Sequence, residues 1–206
     1  MKTRKLEEFR EKYKDCKKCT GCLNDTKVYG HGNINSKICV IGEGPGEQEC
    51  EQGIPFVGAA GKLLDKILAA INLRREDLYF TNTIICRTNR YNRTPSYGEI
   101  LNCRERLAEE LSIIRPRVSL LVGSPALRTI FGSDYNIMRC HGQWFSMLES
   151  PCYYYFAILH PSWILHSVTE GETQARKKVM WEDVKTFRDE SALFLNIPEE
   201  KNAPKC

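Results

Sequence analysis

Cysteine is the residue type with the most unusual chemistry in this sequence, since ten cysteines occur among 206 residues. Cys16 and Cys19 have the C-x2-C spacing that lets two thiolates bind one metal centre, and Cys19 and Cys22 form a rival pair at the same spacing. A four-thiolate site needs two further cysteines, for which Cys86 and Cys103 are the candidates. Four thiolates suit zinc as well as an iron–sulfur cluster, so the spacing leaves the metal open.

A glycine-rich segment at 42–61 is the second feature with chemical potential. It reads Gly-Glu-Gly-Pro-Gly-Glu-Gln-Glu and continues, from Gly53, as Gly-Ile-Pro-Phe-Val-Gly-Ala-Ala-Gly. A phosphate site is disfavoured because the spacing is not G-x-G-x-x-G, no G-K-[ST] follows, and three glutamates would repel phosphate. Backbone that closely approaches a neutral planar ligand is one interpretation, and a tight strand-to-loop turn is the other. Phe56 is either a core residue or a platform on which a base stacks.

Two polar side chains near predicted strand ends complete the candidates. Asn82 carries a hydrogen-bond donor and acceptor side by side, which matches the edge of a pyrimidine base, although an asparagine there can also cap the strand end. His160 is followed by Pro161 and Ser162, and a histidine held in this way is a good electrophile or proton donor. The alternative is a histidine that is only hydrogen-bonded to a backbone carbonyl.

The composition is that of an ordinary globular protein, with 42% apolar and 27% charged residues. No apolar run approaches the roughly 20 residues that span a bilayer, so no membrane partner is expected. The N-terminal segment has no apolar stretch behind its basic residues, which predicts an intracellular protein and favours metal-bound or free thiols over disulfides. The net charge of +4 permits a nucleic-acid partner without requiring one.

Apolar runs that alternate with amphipathic segments predict the elements that position these residues. Strands are predicted at 37–42, 78–85, 118–122 and 153–159, and helices at 3–15, 59–72, 97–114, 124–131 and 175–193. This order indicates an α/β fold of three α/β/α layers around a central, mostly parallel four-stranded sheet. Ligands of such sheets bind at the carboxyl ends of the strands, which places the loops at 42–56, 82–93 and after 159 side by side. Residues 1–195 are expected to form a single domain and 196–206 a loose tail.

Taken in order, the motifs resemble those of family 4 uracil-DNA glycosylases, the iron–sulfur members of the uracil-DNA glycosylase superfamily. The motifs are G-E-G-P-G-E with G-x-P-F-V-G-x-A-G, then T-N-x-x-x-C-R, a cysteine ahead of an Arg-Pro strand, and H-P-S. The resemblance runs from Cys16 to Arg188. It implies a DNA-repair enzyme that hydrolyses the N-glycosidic bond of uracil in DNA and leaves an abasic site.

The resemblance also assigns roles by position. The residue matching Phe56 stacks on the extruded uracil, the one matching Asn82 pairs with its edge, and the one matching His160 hydrogen-bonds its O2. The residue matching Glu49 crowds the position of the thymine methyl group. Glu43 and the Gly44 backbone, the other catalytic candidates, would lie at the pocket floor, and Gly42 would be a further substrate-binding position.

The cofactor implied by the family is a structural [4Fe–4S] cluster held by Cys16, Cys19, Cys86 and Cys103. The implied partner is uracil-containing DNA. The protein is expected to be a monomer in the cytoplasm, associated with the nucleoid. A sliding clamp or another repair protein is a further partner that the sequence leaves open. Candidate phosphate contacts are Arg87, Arg90 and Arg93, for which a solvated loop is the alternative. The segment 160–167 is the candidate wedge into the duplex.

The sequence departs from the family pattern in three places. Cys50 stands where an acid is usual, 88–91 replaces a proline-rich stretch, and 163–166 lacks a common arginine. Two other functions therefore stay open: a non-catalytic iron–sulfur nucleic-acid-binding or polymerase-accessory protein, and a glycosylase for another deaminated base. The cysteines without an assigned role are Cys22, Cys39, Cys140, Cys152 and Cys206.

Overall fold

The structure is a computed structural model that describes residues 1–19, 22–23, 26–89, 91, 93–147, 150 and 152–196. Arg90 and Cys206 lie outside the described residues, as does the predicted tail beyond Asn196.

The sheet has six strands within the described residues, in the order β1-β3-β2-β4-β6-β5. The strands are β1 (His31–Gly32), β2 (Ile38–Gly42), β3 (Tyr79–Asn82), β4 (Val118–Val122), β5 (Gln143–Ser146) and β6 (Tyr154–Ile158). The four inner strands are parallel, which confirms the predicted class. The predicted count of four is wrong because β1 and β5 add antiparallel edges. Both edge strands are short and partly exposed, so they lack the apolar runs that mark the inner strands.

The described part of the chain has eight α-helices and a short 3-10 helix at Arg75–Asp77. They are α1 (Lys2–Tyr13), α2 (Glu47–Gln52), α3 (Ala59–Ala69), α4 (Tyr97–Ile114), α5 (Ser124–Phe131), α6 (Ile137–Cys140), α7 (Ser162–Leu165) and α8 (Glu170–Leu195). The sequence predicted α1, α3, α4, α5 and α8. It missed α2, α6 and α7 because four to six residues are too few to show a helical period. None of these helices combines the length and apolar character needed to cross a membrane.

The core lies in two layers, one on each face of the sheet. Along β2, Cys39 and Ile41 face one layer while Ile38 and Val40 face the other, because successive side chains of a strand alternate. Helices α1, α4 and α5 cover the first face, and α3 and α8 cover the second. This arrangement confirms the three α/β/α layers, and burial on both faces explains why the inner strands are continuously apolar.

The carboxyl ends of the inner strands bring the expected site loops together. Gly42, at the end of β2, is the register partner of Asn82, at the end of β3. His160 follows β6, which is separated from β2 by β4. The residue after β4 is Gly123, whose φ is +88° and at which a Cβ would lie 3.0 Å from the His160 Cβ. A glycine at the end of β4 therefore leaves room for His160 beside the other two loops.

Candidate active site

A cleft of about 780 Å³ opens at the carboxyl end of the sheet. Its walls come from the loops that follow β2, β3 and β6, together with Thr88, Tyr91 and residues 93–95. Six of the seven sequence-predicted catalytic and substrate-binding residues line it: Glu43, Gly44, Glu49, Phe56, Asn82 and His160. Residues far apart in the chain thus share one cavity, which is large enough for a base and part of its nucleotide.

Gly42, the seventh residue, lies beneath the contact between two cleft walls. A Cβ added to Gly42 would stand 2.4 Å from Cζ of Phe56 and 2.5 Å from Oδ1 of Asn82. Any larger side chain would push the aromatic ring or the amide out of place, so a glycine is needed here for close approach. The edge of the Phe56 ring and the amide of Asn82 consequently meet above Gly42.

Phe56 belongs both to the core and to the cleft. Its side chain is 6% exposed, and its ring meets the ring of Phe80 edge-on with centroids 5.6 Å apart. The Phe56 backbone has a φ of +58°, a left-handed conformation that is unusual for a bulky residue. The two interpretations of Phe56 drawn from the sequence therefore describe the same ring, which is anchored in the core and has one part turned to the cleft.

The imidazole of His160 is fixed by its own turn. The hydroxyl of Ser162 lies 2.7 Å from Nδ1, and the Ser162 backbone N–H donates to the same nitrogen over 3.2 Å. The pKa of His160 is lowered to about 4, mainly by burial and also by the charge of His166, while Glu49 opposes the shift. The ring is therefore neutral at neutral pH.

Glu49 ties the glycine-rich segment into one unit. Its carboxylate accepts hydrogen bonds from the backbone N–H of Gly46 at 3.1 Å, of Val57 at 2.9 Å and of Gly58 at 2.7 Å. The first of these contacts caps α2, and the other two hold the residues after Phe56. Glu49 thus fixes the shape of the loop and also presents its side chain to the cleft.

Glu43 and Gly44 form the floor beside β3. Burial raises the pKa of Glu43, and a hydrogen bond with Thr94 opposes that shift. The Glu43 carbonyl accepts from the Thr83 hydroxyl and from the Ile84 backbone N–H. A Cβ on Gly44 would lie 2.8 Å from Cγ1 of Ile84, so the backbone runs directly against that side chain. The floor is therefore a rigid backbone segment with one carboxyl group whose proton affinity is increased.

Comparison with known proteins identifies the family. The family model for the uracil DNA glycosylase superfamily matches residues 29–185. The "Type-4 uracil-DNA glycosylase" of Thermotoga maritima is 36% identical over 173 residues, which is 82% of this chain and 86% of that protein. The chain belongs to the type-4 branch of the uracil-DNA glycosylase superfamily.

Two further relatives carry the same description. The type-4 uracil-DNA glycosylase of Archaeoglobus fulgidus is 43% identical over 129 residues, covering 61% of this chain and 63% of that protein. The one from Pyrobaculum aerophilum is 37% identical over 131 residues, covering 62% and 66%. The family match spans every residue that lines the cleft, from Glu43 to His166.

The four cysteines expected to bind the type-4 cluster come from three parts of the fold. Cys16 and Cys19 follow α1, Cys86 follows β3, and Cys103 lies on α4. Burial raises the pKa of Cys103; Cys19 and Cys16 add to the shift, so the three thiols are neighbours. Burial also raises the pKa of Cys86, and Cys103 and Cys16 add to this shift. The thiols are neighbours without surrounding one point: among the described residues, no group of three or more His, Cys, Asp or Glu side chains is placed to hold a metal ion.

Nitrogen donors face two of these sulfur atoms. The Lys27 ammonium lies 3.3 Å from the Cys86 Sγ, and the Asn102 amide donates to the Cys19 Sγ over 3.6 Å. Hydrogen bonds to sulfur stabilise thiolates and tune iron–sulfur clusters. The donor set therefore fits the chemistry of a type-4 cluster.

Cys22, the rival in the C-x2-C pairing, has a different partner. Its Sγ lies 3.5 Å from the Glu99 carboxylate, and burial together with Glu99 raises its pKa. A thiol that donates to a carboxylate is held in its protonated form, whereas a metal ligand must be a thiolate. Cys19 and Cys86 add to the same shift, so Cys22 lies beside the thiols of the expected ligands while its own sulfur faces Glu99.

Two of the three arginines predicted to contact phosphates are engaged in ion pairs. Arg87 is 11% exposed and lies 3.1 Å from Glu47, and Arg93 lies 2.6 Å from Glu99 at the wall of the cleft. Arg90 lies outside the described residues. The structure therefore offers Arg93 as a cleft residue, whereas Arg87 is largely buried and pairs with Glu47, an exposed residue of the cleft lining.

Two supporting groups of the glycosylase cleft were missed from the sequence. Arg106 donates to the carbonyls of Asn82 and Thr83, and it forms a fully buried ion pair with Glu110. A signal existed, because both charges fall within the apolar stripe of the predicted helix at 97–114. Arg75 donates to the carbonyl of Phe56, and nothing in its local sequence indicated this contact.

Proposed function

We propose that this protein excises uracil from DNA by hydrolysing the N-glycosidic bond and leaving an abasic site. One observation carries the proposal: the ring of Phe56, the amide of Asn82 and the imidazole of His160 line a single cleft. The names of its type-4 relatives support the same activity. In this proposal the enzyme is a monomer that acts on DNA at the nucleoid.

The cleft recognises the base after it leaves the duplex. Extrusion costs a few kcal/mol and gives access to the glycosidic bond, which stacking hides. Phe56 stacks on the uracil face, and the Asn82 amide pairs with N3–H and O4 at its edge. Cytosine presents an amine where uracil presents O4, which leaves a buried donor unpaired and rejects that base. Glu49, held by three backbone N–H groups, closes the space that the methyl group of thymine would need.

Bond cleavage moves electrons from the C1′–N1 bond into the uracil ring. The sugar becomes an oxocarbenium ion, and the negative charge of the uracil anion spreads onto O2. His160 is neutral and accepts at Nδ1, so its Nε2–H is the donor that stabilises O2. One preorganised donor of this kind is worth about 3–4 kcal/mol in acyl-transfer enzymes.

Water completes the reaction at C1′. Its oxygen bonds to the cationic carbon, and its proton passes to a base and finally to the uracil anion. Glu43 at the cleft floor is the group placed to accept this proton, since burial raises its pKa above that of an ordinary carboxyl. Gly44 carries no side chain that could act as a second base, so cleavage depends mainly on stabilisation of charge.

The iron–sulfur cluster has a structural role in this proposal. Cys16, Cys19, Cys86 and Cys103 would hold it, and it would cross-link the end of α1, the segment after β3 and helix α4. That segment leads into the wall at 93–95, so the cluster supports one side of the DNA-binding cleft. Leu165, 47% exposed at the cleft, is the residue of segment 160–167 placed to enter the duplex.

Release of free uracil from a defined oligonucleotide tests the proposal. The wild-type protein should produce abasic sites, and Asn82→Ala and His160→Ala should each slow release roughly 100-fold or more. Asn35→Ala and His31→Ala change exposed residues of the same types and serve as matched controls. DNA binding without release would instead indicate the non-catalytic function. Release of another deaminated base from a panel of modified oligonucleotides would indicate a glycosylase for that base.

A further inference from the structure

We propose that Arg75 is the positioning residue for the stacking face of Phe56, an inference that rests on the proposed uracil-binding role of this cleft. The Arg75 guanidinium donates to the Phe56 carbonyl over 3.0 Å and also donates to the carbonyl of Pro55. It forms an ion pair with Asp65 on α3, at 3.0 and 3.2 Å from the two carboxylate oxygens. One side chain therefore links the loop that carries Phe56 to the helix that follows it.

This link holds a backbone conformation that needs support. The φ of Phe56 is +58°, which is unfavourable for a residue with a large side chain. In this conformation the Phe56 carbonyl lies against the first turn of α3. A Cβ on Gly61, in the first turn of α3, would stand 2.1 Å from the Phe56 carbonyl oxygen. The missing side chain of Gly61 permits the left-handed turn, and the guanidinium of Arg75 supplies the donor that fixes it.

The same guanidinium supports the ring as well as the backbone. Its central carbon lies 4.4 Å from the centroid of the Phe80 ring. The Phe80 ring in turn meets the Phe56 ring edge-on. Arg75 thus fixes both the carbonyl of Phe56 and the ring behind it, while its own side chain is 30% exposed and stands outside the cleft lining.

Arg74 provides the contrast within the same turn. Its guanidinium is 66% exposed and pairs with Glu76 and Asp77, which are its neighbours in sequence. Substitution of Arg74 removes one charge of the same sign from the same surface and leaves the Phe56 turn intact. The pair Arg75→Met and Arg74→Met therefore separates the positioning role from any effect of charge.

Direct binding of free uracil, measured by calorimetry, is the first readout because it does not require turnover. Arg75→Met should weaken uracil binding roughly tenfold, within the range for loss of one base–aromatic stack, and should slow single-turnover release from DNA by a similar factor. Arg74→Met should stay within about twofold of wild type, which is the scatter of an unrelated surface change. Arg75→Lys keeps the charge but loses the paired contacts, so it should resemble Arg75→Met.

A double variant shows whether Arg75 acts through Phe56. In a Phe56→Ala background, Arg75→Met should cause no further loss of uracil binding, since the stacking face is already gone. An equal loss in that background, or unchanged uracil binding in Arg75→Met, would overturn the proposal. If Arg75→Met does not fold, Asp65→Asn replaces it in both comparisons, since Asp65→Asn loosens the same guanidinium. If the wild-type protein binds free uracil but does not release uracil from DNA, the proposed activity alone is refuted. If it neither binds nor releases uracil, the proposed activity and the role of Arg75 are both refuted.

Discussion

The backbone N–H of Ser162 donates a hydrogen bond to Nδ1 of His160 over 3.2 Å. A backbone N–H can only donate, so Nδ1 is an acceptor and the single proton of the neutral ring lies on Nε2. The contact spans two residues and follows from the local turn of the His-Pro-Ser segment. It means that the tautomer needed to donate to a substrate oxygen is set by the protein before any substrate binds.

The pH dependence of base release should reflect this neutral ring. Because burial lowers the pKa of His160 to about 4, its neutral form is constant between about pH 6 and pH 8. Only as the pH approaches 4 does it give way to the imidazolium, which still carries the Nε2 proton. The single-turnover rate should therefore show no increase as the pH falls through about 6.5, the ordinary histidine value. His160→Gln should abolish any change of the single-turnover rate at acidic pH that arises from this residue. A rate that grows with protonation near that pH would show that the imidazolium is the active form.

Removal of Arg106 should destabilise the protein strongly. Arg106 and Glu110 are 1% and 0% exposed, so Arg106→Met leaves a buried carboxylate without its cation, at a cost of about 3–5 kcal/mol in the free energy of unfolding. Arg106→Met with Glu110→Gln removes both charges and should recover part of that loss. Urea denaturation of the wild type, the single variant and the double variant gives the free energy of unfolding of each. If the single variant is as stable as the double variant, the buried pair does not contribute as inferred.

Substitution of the proposed cluster ligands should remove iron. Cys86→Ala and Cys103→Ala should lower the iron content per protein and the brown visible absorbance, since each removes one of four thiolates. Cys22→Ala should keep both, because the Cys22 thiol contacts Glu99 instead. Iron analysis of purified protein gives the comparison. Loss of iron from Cys22→Ala with retention in Cys16→Ala would assign the rival cysteine pair.

Loss of the Glu49 carboxylate should loosen the wall that carries Phe56. Glu49→Ala leaves three backbone N–H groups without their acceptor, which should cost about 1–3 kcal/mol in the free energy of unfolding and reduce uracil release. Glu51→Ala removes an exposed carboxylate from the same helix and is the control. Denaturation and release assays on both variants test the effect. Equal behaviour of the two would mean that Glu49 does not organise the loop.

Much of the fold followed from local patterns. The inner strands are buried on both faces and read as apolar runs, and α1, α3, α4, α5 and α8 are long enough to show a helical period. The edge strands β1 and β5 escaped prediction because partial exposure removes the apolar run. Strand β1 forms by pairing with β3, which is distant in sequence, and β5 forms by pairing with β6, which follows it after a loop. Neither edge strand can therefore be recognised from its own residues.

For the site, residue type, spacing and family motif were enough to identify the groups that could do chemistry, namely Phe56, Asn82, His160 and the cysteines. The residues that support these groups could be recognised only in the folded chain. Gly42 is needed because two side chains approach it from different loops, Arg75 matters because its donors reach the Phe56 turn, and Arg106 matters because it reaches the carbonyl of Asn82 from another helix. Hydrogen bonds and close contacts act through distance in space, and residues 14 to 40 positions apart come within that distance only after the chain has folded.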